Sequence, residues 1–288
     1  MGAIYLGLEG GATKTVAVLS NGQRRVFGPL NLKLVTDRQV LAVLRKFRPA
    51  RAAICLAGCR TPADRRRLRR LARRAWPKAQ SVFIGNDLDS GHAAAFGPHG
   101  AGILIISGTG SSVLGRNAEG QTARAGGWGH LLGDHGSGYW IALTGLRNAI
   151  RDYDRNGTLR PALRRVLRRL KMKSPEELVG WIHDATKADI AALAGDVMRG
   201  DHPLMLQSAS FLAMDAAAVA EKLGLESPPI ALAGGVLKHC PGFRRLVIHR
   251  LRQVFRYSTI RLMTRETAYG AVALAASEQP SALRSSKR

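Results

Sequence analysis

The chain has 288 residues, is 45% hydrophobic and carries a formal net charge of +24, and its length allows one large domain or two smaller ones. No apolar run reaches the ~20 residues that span a bilayer, and Glu9 interrupts the apolar N-terminal stretch, so neither a membrane span nor a signal peptide is predicted. Three unevenly spaced cysteines form no disulfide framework, and we therefore expect a cytoplasmic protein.

The N-terminal part of the chain alternates strand and helix patterns. Apolar and β-branched runs predict strands in the following ranges: 4–8, 14–19, 23–27, 52–57 and 81–84. Helical periodicity predicts helices at 37–47 and 88–96. Another helix is expected to begin at Thr61-Pro62, because Thr is a favoured N-cap and Pro is favoured at the first helical position.

Two arginine-rich stretches, 65–74 and 164–173, hold much of the positive charge. Leu68, Leu71 and Ala75 recur at helical spacing in the first stretch, and the second stretch has a similar pattern. Each stretch is either a nucleic-acid footprint or the solvated face of an amphipathic helix. Because no nucleic-acid module motif accompanies them, we expect solvated faces and no nucleic-acid partner.

The strand pattern restarts at residue 102. Strands are predicted at 102–107 and 112–116, with glycine-containing turns after each, which repeats the order at the N-terminus. From residue 136 the chain is mainly helical, and a capping box predicts a helix start at Ser174, with Glu177 as its acidic partner. The remaining predicted elements are a strand at 230–233, a helix at 241–255, a strand at 259–263 and a helix at 266–277.

The segment YLGLEGGATKTVAVL, residues 5–19, contains the residue types of a phosphate-binding loop. A P-loop requires Gly directly before Lys and a helix after it. Here Thr13 precedes Lys14, and the residues that follow read as a strand. A P-loop is therefore excluded, and we expect a turn between two antiparallel strands.

Four glycine-bearing turns follow predicted strands: Gly10-Gly11-Ala12-Thr13, Gly85-Asn86-Asp87, Gly108-Thr109-Gly110-Ser111 and Gly234-Gly235. Ligands of α/β proteins bind at strand ends, and successive backbone N–H groups in such turns attract anions. One such turn would more often be an ordinary hairpin. Two strand–turn–strand units in one chain instead favour two hairpins that bind the β- and γ-phosphates of a nucleotide.

Five motifs carry a resemblance, in the order GLEGGATKT, GND, SGTGS, GGWGHLLGDHGSGYWI and ALAGGV. The chain resembles the sugar kinase/Hsc70/actin superfamily and, more narrowly, the N-acetylglucosamine kinase and glucosamine kinase family, which is grouped with the BadF-type ATPases. The resemblance runs from residue 4 to about residue 276 and is most specific over 126–141. It implies an α/β fold of two ribonuclease-H-like (actin-like ATPase) lobes around a central nucleotide cleft.

The resemblance also implies a domain division and an activity. We expect an N-terminal lobe at 1–98, a C-terminal lobe at 99–265, a helix at 266–278 that packs back on the first lobe, and a flexible tail at 279–288. The implied activity is transfer of phosphate from ATP, with Mg²⁺, to the 6-hydroxyl of N-acetylglucosamine or glucosamine. A homodimer is compatible with the resemblance, and no membrane partner is expected.

The resemblance assigns roles to individual residues. Asp87 matches the catalytic base that accepts the proton of the 6-hydroxyl, and Glu9 matches an acidic residue that helps to hold hydrated Mg²⁺. The matching sugar-binding positions are Asn31, Asp87, Gly127, Trp128 and Asp134. The matching nucleotide-binding positions are Gly10, Gly11, Thr13, Lys14, Gly108, Thr109, Gly110, Ser111, Gly234 and Gly235. These residue types suit phosphoryl transfer, which depends mainly on positioning and charge neutralisation.

Three positions within the matching motifs need a further comment. Asp87 also suits the N-cap of the helix that is expected near Leu88. His130 and His135 could indicate a metal, but no cysteine lies near them, and we expect no zinc site. His135 departs from the family, which has Glu after the matching Asp, and this difference bears on the substrate preference.

The alternative function within the superfamily is an ATP-driven activator of a 2-hydroxyacyl-CoA dehydratase or benzoyl-CoA reductase type enzyme. Such activators hold a [4Fe–4S] cluster with cysteine thiolates, and only Cys55 and Cys59 are candidates here. Cys55 lies in an apolar strand and is expected to be buried. Cys59 lies in a loop, where we expect it to be exposed.

Overall fold

The computed structural model describes residues 4–11 and 13–278, and the chain divides into two compact units. Of the described residues, the first unit contains those up to Gly100 and those from Met263 onward, whereas the second contains Ala101–Leu262. The tail expected at 279–288 lies outside the described residues. Each unit has a five-stranded sheet and its own apolar core. The predicted alternation of strands and helices is thereby confirmed.

The first unit begins with eight elements in chain order: β1 (Tyr5–Gly10), β2 (Thr15–Leu19), β3 (Arg24–Phe27), α1 (Asp37–Leu44), β4 (Arg51–Leu56), α2 (Pro62–Ala75), β5 (Ser81–Gly85) and α3 (Asp87–Phe96). The sheet order is β3-β2-β1-β4-β5, with β1, β4 and β5 parallel and with β2 antiparallel to both neighbours.

Local sequence signals explain how these helices start. Capping boxes at Thr36, Thr61 and Asn86 open α1, α2 and α3, and Pro62 follows Thr61 as predicted. Helix α2 buries Leu68, Leu71, Ala72 and Ala75, while most of its arginines stay exposed. The solvated face that was predicted for this arginine-rich stretch is therefore present.

The second unit contains β6 (Gly102–Ser107), β7 (Ser111–Arg116), β8 (Thr122–Gly126), α4 (Gly138–Asn156), α5 (Pro161–Leu170), α6 (Glu177–Asp184), α7 (Lys187–Ala192), α8 (Ala194–Met198), α9 (His202–Leu223), β9 (Ile230–Ala233), α10 (Gly235–His239), α11 (Pro241–Val254) and β10 (Ile260–Leu262). Its sheet order is β8-β7-β6-β9-β10. This order matches that of the first sheet strand by strand, with the same parallel and antiparallel pairs.

The last described helix, α12 (Ala268–Ser277), belongs to the first unit and packs on β1 and α3. Two glycines allow this close approach. A Cβ at Gly7 would overlap the backbone nitrogen of Val272, and one at Gly270 would overlap the carbonyl oxygen of Ser90. Helix α12 therefore covers the sheet at backbone contact distance.

Helix α9 is long and apolar enough, by length and composition, to cross a membrane. One face of it, which includes Leu212, Ala216 and Val219, is buried in the core of the second unit. This is the packing of a core helix in a globular domain.

Two features differ from the sequence expectations. Strand β8 was not predicted, because the apolar residues of its sequence TARAG are only the small Ala123 and Ala125, which are weak strand formers. Its pairing with β7 defines it. The helix start predicted at Ser174 is wrong. The Glu177 carboxylate does accept from the backbone N–H of Ser174 (3.3 Å). However, the amide of Leu178 donates to the carbonyl of Pro175, which makes a turn at Pro175 and Glu176. Helix α6 therefore begins at Glu177.

Candidate functional site

The carboxyl ends of the parallel strands in the first unit bring several predicted site residues together. Glu9 of β1 is in register with Cys55 of β4, and Cys55 is in register with Gly85 of β5. Asp87 follows two residues after Gly85. Glu9 and Asp87 thus lie at the same edge of the sheet, where ligands of α/β proteins commonly bind.

Glu9 has an unusual electrostatic environment. Burial, followed by the negative charge of Asp87, raises the pKa of Glu9 from 4.5 to about 7. Glu266 raises this pKa further, while a hydrogen bond from the Thr267 side chain and the charge of Lys14 oppose the shift. The edge of the first sheet therefore concentrates carboxylates, and a cation there would relieve their repulsion.

Asp87 is the first residue of α3, but it does not cap that helix. The cap is Asn86, whose Oδ1 accepts from the amides of Leu88 (2.9 Å) and Asp89 (3.1 Å). Asp89 completes the capping box by accepting from the amide of Asn86 at 2.8 Å. The capping role considered for Asp87 thus belongs to its neighbour.

Asn31 lies in a loop that packs on the same edge of the first sheet. The amide of Leu32 donates to the carbonyl of Ala57 (2.8 Å), and the amide of Ala57 donates to the carbonyl of Gly10 (2.7 Å). Gly58 has a φ of +82°, and a Cβ at this position would overlap Oδ1 of Asn31. Asn31 is therefore fixed close to the end of β1.

The first glycine turn joins β1 to β2. The amide of Gly11 donates to the carbonyl of Lys14 at 2.9 Å, and both Thr13 and Lys14 are exposed. The Lys14 Nζ is paired with Glu266 at 3.2 Å, and Arg24 binds the same carboxylate at 2.8 Å. These cations lower the pKa of Glu266 to about 2, with the Arg24 hydrogen bond as the largest cause. Sequence reasoning missed Glu266, because its partners lie more than 200 residues away along the chain.

The second glycine turn joins β6 to β7 and is held by backbone acceptors. The amide of Gly108 donates to the carbonyl of Gly110 at 2.9 Å. Ser107 and Ser111 are buried, and their hydroxyls donate to the carbonyls of Gly136 (2.6 Å) and His135 (2.7 Å). Thr109, in the same turn, is half-exposed.

Gly234 and Gly235 lie beside this second turn. Gly234 has a φ of +98°, and a Cβ there would overlap the carbonyl oxygen of Ser107. A Cβ at Gly108 would lie 3.6 Å from the Gly235 nitrogen. The second unit thus brings two of the predicted nucleotide-binding segments into contact, and Gly234 is the position where the approach of the backbones requires glycine.

The glycine-rich loop, residues 126–136, follows β8. Gly127 has a φ of +66°, and a Cβ there would lie 2.6 Å from both the Arg124 guanidinium and the Ser112 hydroxyl. Trp128 is 67% exposed, and Leu131 and Leu132 are 84% and 80% exposed. An exposed aromatic ring in such a loop suits stacking on a sugar.

Asp134 occupies a more constrained position than its neighbours in this loop. It is 4% exposed and has a φ of 59°, which is uncommon for a residue other than glycine. Its Oδ2 lies 2.6 Å from the Nζ of Lys187, and a Cβ at Gly110 would lie 2.9 Å from the same oxygen. Asp134 and Lys187 therefore form an ion pair directly beside the second glycine turn.

Lys187 was missed by sequence reasoning. It is the first residue of α7, which a capping box between Thr186 and Asp189 opens. The box could have been found from the sequence, but it says nothing about a partner 53 residues earlier in the chain.

His135, the residue after Asp134, packs among aromatic rings. Its ring centroid lies 5.7 Å from that of Trp140 and 4.7 Å from that of Phe211. Burial raises the pKa of Asp215 on α9, and the charge of His135 opposes this shift. A Cβ at Gly126 would lie 2.7 Å from Oδ2 of Asp215. His135 therefore links the loop to α9.

The two cysteines considered for a cluster are both buried. The expectation that Cys59 is exposed is wrong, because its amide bonds to the carbonyl of Leu56 (3.1 Å) and its side chain joins the core of the first unit. Burial raises the pKa of Cys59 to about 11 and that of Cys55 well above its ordinary value. Among residues 4–11 and 13–278, no group of three or more His, Cys, Asp or Glu side chains could hold a metal ion.

Comparisons with known proteins agree with the resemblance carried by the motifs. A family profile described as the BadF/BadG/BcrA/BcrD ATPase family matches residues 6–275. An N-acetylmuramic acid/N-acetylglucosamine kinase of Clostridium acetobutylicum is 30% identical and is aligned over 95% of this chain and 98% of its own. An N-acetyl-D-glucosamine kinase of Dictyostelium discoideum is 28% identical over 94% of this chain and 97% of its own.

A solved structure from Chromobacterium violaceum, described as that of a candidate N-acetylglucosamine kinase, is similar in fold. It has a TM-score of 0.77 at 23% identity and covers 95% of this chain and 99% of its own. Together with the two five-stranded sheets, this similarity confirms the predicted α/β fold class with actin-like ATPase lobes. The predicted resemblance to the N-acetylglucosamine kinase group is confirmed as well.

Proposed function

Because the chain belongs to the BadF/BadG/BcrA/BcrD ATPase family, we propose that it is an ATP-dependent kinase that phosphorylates the 6-hydroxyl of N-acetylglucosamine or glucosamine. The two kinases at 28–30% identity over nearly the whole chain support an amino sugar as the acceptor. The observation that carries the proposal is the position of Asp87. It follows the carboxyl end of β5, its charge acts on Glu9, and Asn86 performs the helix cap in its place.

Asp87 is assigned the role of general base. A sugar hydroxyl is a weak nucleophile, and a positioned carboxylate can orient it and accept its proton as the bond to phosphorus forms. The start of α3 also favours a negative charge, because the N-terminus of a helix carries partial positive charge. The negative charge of Asp87 is in turn one of the causes that raise the pKa of the nearby Glu9.

Nucleotide binding is assigned to the glycine turns of both units. The Thr13 hydroxyl and the Lys14 ammonium would contact phosphate oxygens beside the close backbone of Gly10 and Gly11, as would Thr109 with Gly108 and Gly110. Ser111 is assigned a supporting role, because its hydroxyl already bonds to His135. Gly234 and Gly235 are assigned to the adenosine, which needs close backbone approach.

Mg²⁺ fits the carboxylates at the edge of the first sheet. The raised pKa of Glu9 reflects burial and the nearby negative charges of Asp87 and Glu266, which a divalent cation would offset. Glu9 would hold the ion through water, and the ion would neutralise charge on the phosphates when it is bound.

Sugar binding is assigned to Asn31, Gly127, Trp128 and Asp134. Asn31 offers an amide near the end of β1, and Trp128 offers an exposed ring. Asp134 is already paired with Lys187 at 2.6 Å. We therefore expect Asp134 to accept from a sugar hydroxyl with the oxygen that Lys187 leaves available.

The test is a coupled assay of ADP release with N-acetylglucosamine, glucosamine and N-acetylmuramic acid as acceptors. Phosphorus NMR of the product would identify the phosphorylated hydroxyl. We expect sugar-dependent turnover with at least one of the two proposed acceptors and a 6-phosphate product. ATP consumption that no hexosamine stimulates would contradict the kinase assignment.

The activator function is not favoured. Cys55 and Cys59 are buried, and the relatives at 28–30% identity are named as kinases. We further propose that the enzyme is cytoplasmic. We also propose that it has no nucleic-acid partner, because α2 packs as an amphipathic helix and its Arg67 and Arg70 pair with Asp37. A homodimer stays compatible with this proposal.

A further inference from the structure

A cavity of about 230 Å³ lies in the second unit, between the glycine-rich loop and α4. His130, Leu131 and Leu132 line it from the loop, and Tyr139, Trp140 and Arg147 line it from α4. Its volume is below the roughly 300–1,000 Å³ of sites that enclose a whole drug-sized ligand. We therefore expect it to hold one substituent of a ligand rather than the entire molecule.

The charges around the cavity favour an anion. None of the side chains that line it is a carboxylate. Arg147 is exposed and, within the described part of the chain, enters no hydrogen bond or ion pair, whereas Asp152 further along α4 is paired with Arg160 at 2.8 Å. A free guanidinium presents a planar set of donors that matches a carboxylate in two parallel hydrogen bonds.

The cavity adjoins the residues that are assigned to the sugar. Gly133 lines it, and a Cβ at this position would lie 3.3 Å from the Cβ of Trp128. On the other side, the Lys187 Nζ lies 2.6 Å from Asp134 and 5.8 Å from the centroid of the Tyr139 ring. A sugar on Trp128 and Asp134 would thus have the cavity next to it.

On the basis of the proposed function, we propose that this cavity receives a carboxylate-bearing substituent of the acceptor amino sugar and that Arg147 binds the carboxylate. The apolar stem of the substituent packs on Leu131, Leu132 and Trp140. The occupant is a short acidic side chain attached to the sugar ring, and amino sugars that carry one are the preferred acceptors.

The experiment compares N-acetylmuramic acid, its methyl ester and N-acetylglucosamine as acceptors. The proteins are the wild type and the variants Arg147→Leu, Arg147→Lys and Arg151→Leu. Arg151 is a matched control, because it lies one turn further along α4, is exposed and does not line the cavity. The readout is the ratio of kcat/KM for N-acetylmuramic acid to kcat/KM for N-acetylglucosamine.

We expect Arg147→Leu to lower this ratio by roughly 10- to 100-fold, the range for loss of hydrogen bonds to a charged group. Arg147→Lys should recover part of the loss, and Arg151→Leu should not change the ratio. In the wild type, the methyl ester should be used less well than the free acid, because it has the size of the substituent without its charge.

Two results would overturn the inference. One is a wild-type enzyme that phosphorylates N-acetylglucosamine but not N-acetylmuramic acid, and the other is an equal change of the ratio in Arg147→Leu and Arg151→Leu. If no amino sugar is phosphorylated, the proposed function fails. Calorimetric titration of N-acetylmuramic acid into the wild type and Arg147→Leu then decides the inference separately, since equal affinities would contradict it.

Discussion

The two units repeat one strand order, but they surround their glycine turns with different charges. The turn after β1 lies near Glu9, Asp87 and Glu266, so that the pKa of Glu9 is raised by its carboxylate neighbours as well as by burial. The turn after β6 is bounded mainly by backbone groups, and the carboxylate of Asp134 beside it is neutralised by Lys187.

One strand order can therefore serve two kinds of chemistry. Backbone amides at a turn with little charge around it suit the binding of an anion. Carboxylates at the edge of a sheet suit proton transfer and the binding of a cation. We therefore assign the acid–base chemistry to the first unit, and the variants below test that assignment.

The largest effect is expected from Asp87→Asn. Loss of a general base should lower kcat by ~10²- to 10⁴-fold, whereas the fold should persist because Asn86 caps α3. Steady-state kinetics with N-acetylglucosamine would measure the loss, and circular dichroism would check the fold.

Asp89→Asn is the matched control for this variant. It removes the same charge two residues away, but Asp89 serves the capping box by accepting from the Asn86 amide. We expect a loss of about 1 kcal/mol in unfolding free energy with turnover retained. Equal kinetic losses in the two variants would refute the assignment of Asp87 as the base.

Lys187→Met tests the charge balance of the second turn. The variant leaves the Asp134 carboxylate buried without its cation. Breaking a buried pair lowers the unfolding free energy by ~3 kcal/mol, and we expect a somewhat smaller loss here because Lys187 is partly exposed. Urea denaturation would measure this loss. Adding Asp134→Asn should restore most of the stability, and a double variant no more stable than the single one would contradict the ion pair's role.

Gly234→Ala and Gly235→Ala test the close approach of backbones in the second unit. Gly234 has a φ of +98° and no room for a Cβ, whereas a Cβ at Gly235 meets no atom within 4 Å. We expect Gly234→Ala to cost ~1–3 kcal/mol of stability and Gly235→Ala to cost nothing. If Gly235 contacts adenosine, its alanine variant should bind ATP more weakly at unchanged melting temperature, which calorimetry would detect.

The smallest expected effect is a change in pH dependence at Glu9. Its pKa is raised from 4.5 to about 7 in the folded chain, so the folded state holds a proton that the unfolded state has lost in this window. Its contribution to the unfolding free energy therefore decreases as pH rises through this range and is constant above it. Glu9→Gln removes this dependence.

Relative to the wild type, Glu9→Gln should gain stability between pH 5 and pH 8, by an amount on the order of 1 kcal/mol. Denaturant unfolding of both proteins at the two pH values measures the gain, and the other titrating groups cancel in the difference. A difference that does not vary with pH would mean that the carboxyl group of Glu9 is not perturbed.

The sequence was informative where local rules apply. Turn and cap signals placed the start of α2 at Thr61-Pro62, and glycine spacing excluded a P-loop before β2. It failed for β8, although the repeat of the first sheet order could have suggested a third strand after β7. The burial of Cys59 was also missed, because a short turn directs a loop residue into the core.

The sequence alone determined most of the elements, the repeated hairpins and the family, because glycine turns, caps and apolar periodicity act over a few residues. Only the tertiary structure decided which charges meet. Lys187 pairs with Asp134, Glu266 pairs with Lys14 and Arg24, and the charge of Asp87 raises the pKa of Glu9. The physical reason is that electrostatic interactions depend on distance and burial in space, and these follow from strand register and packing rather than from separation along the chain.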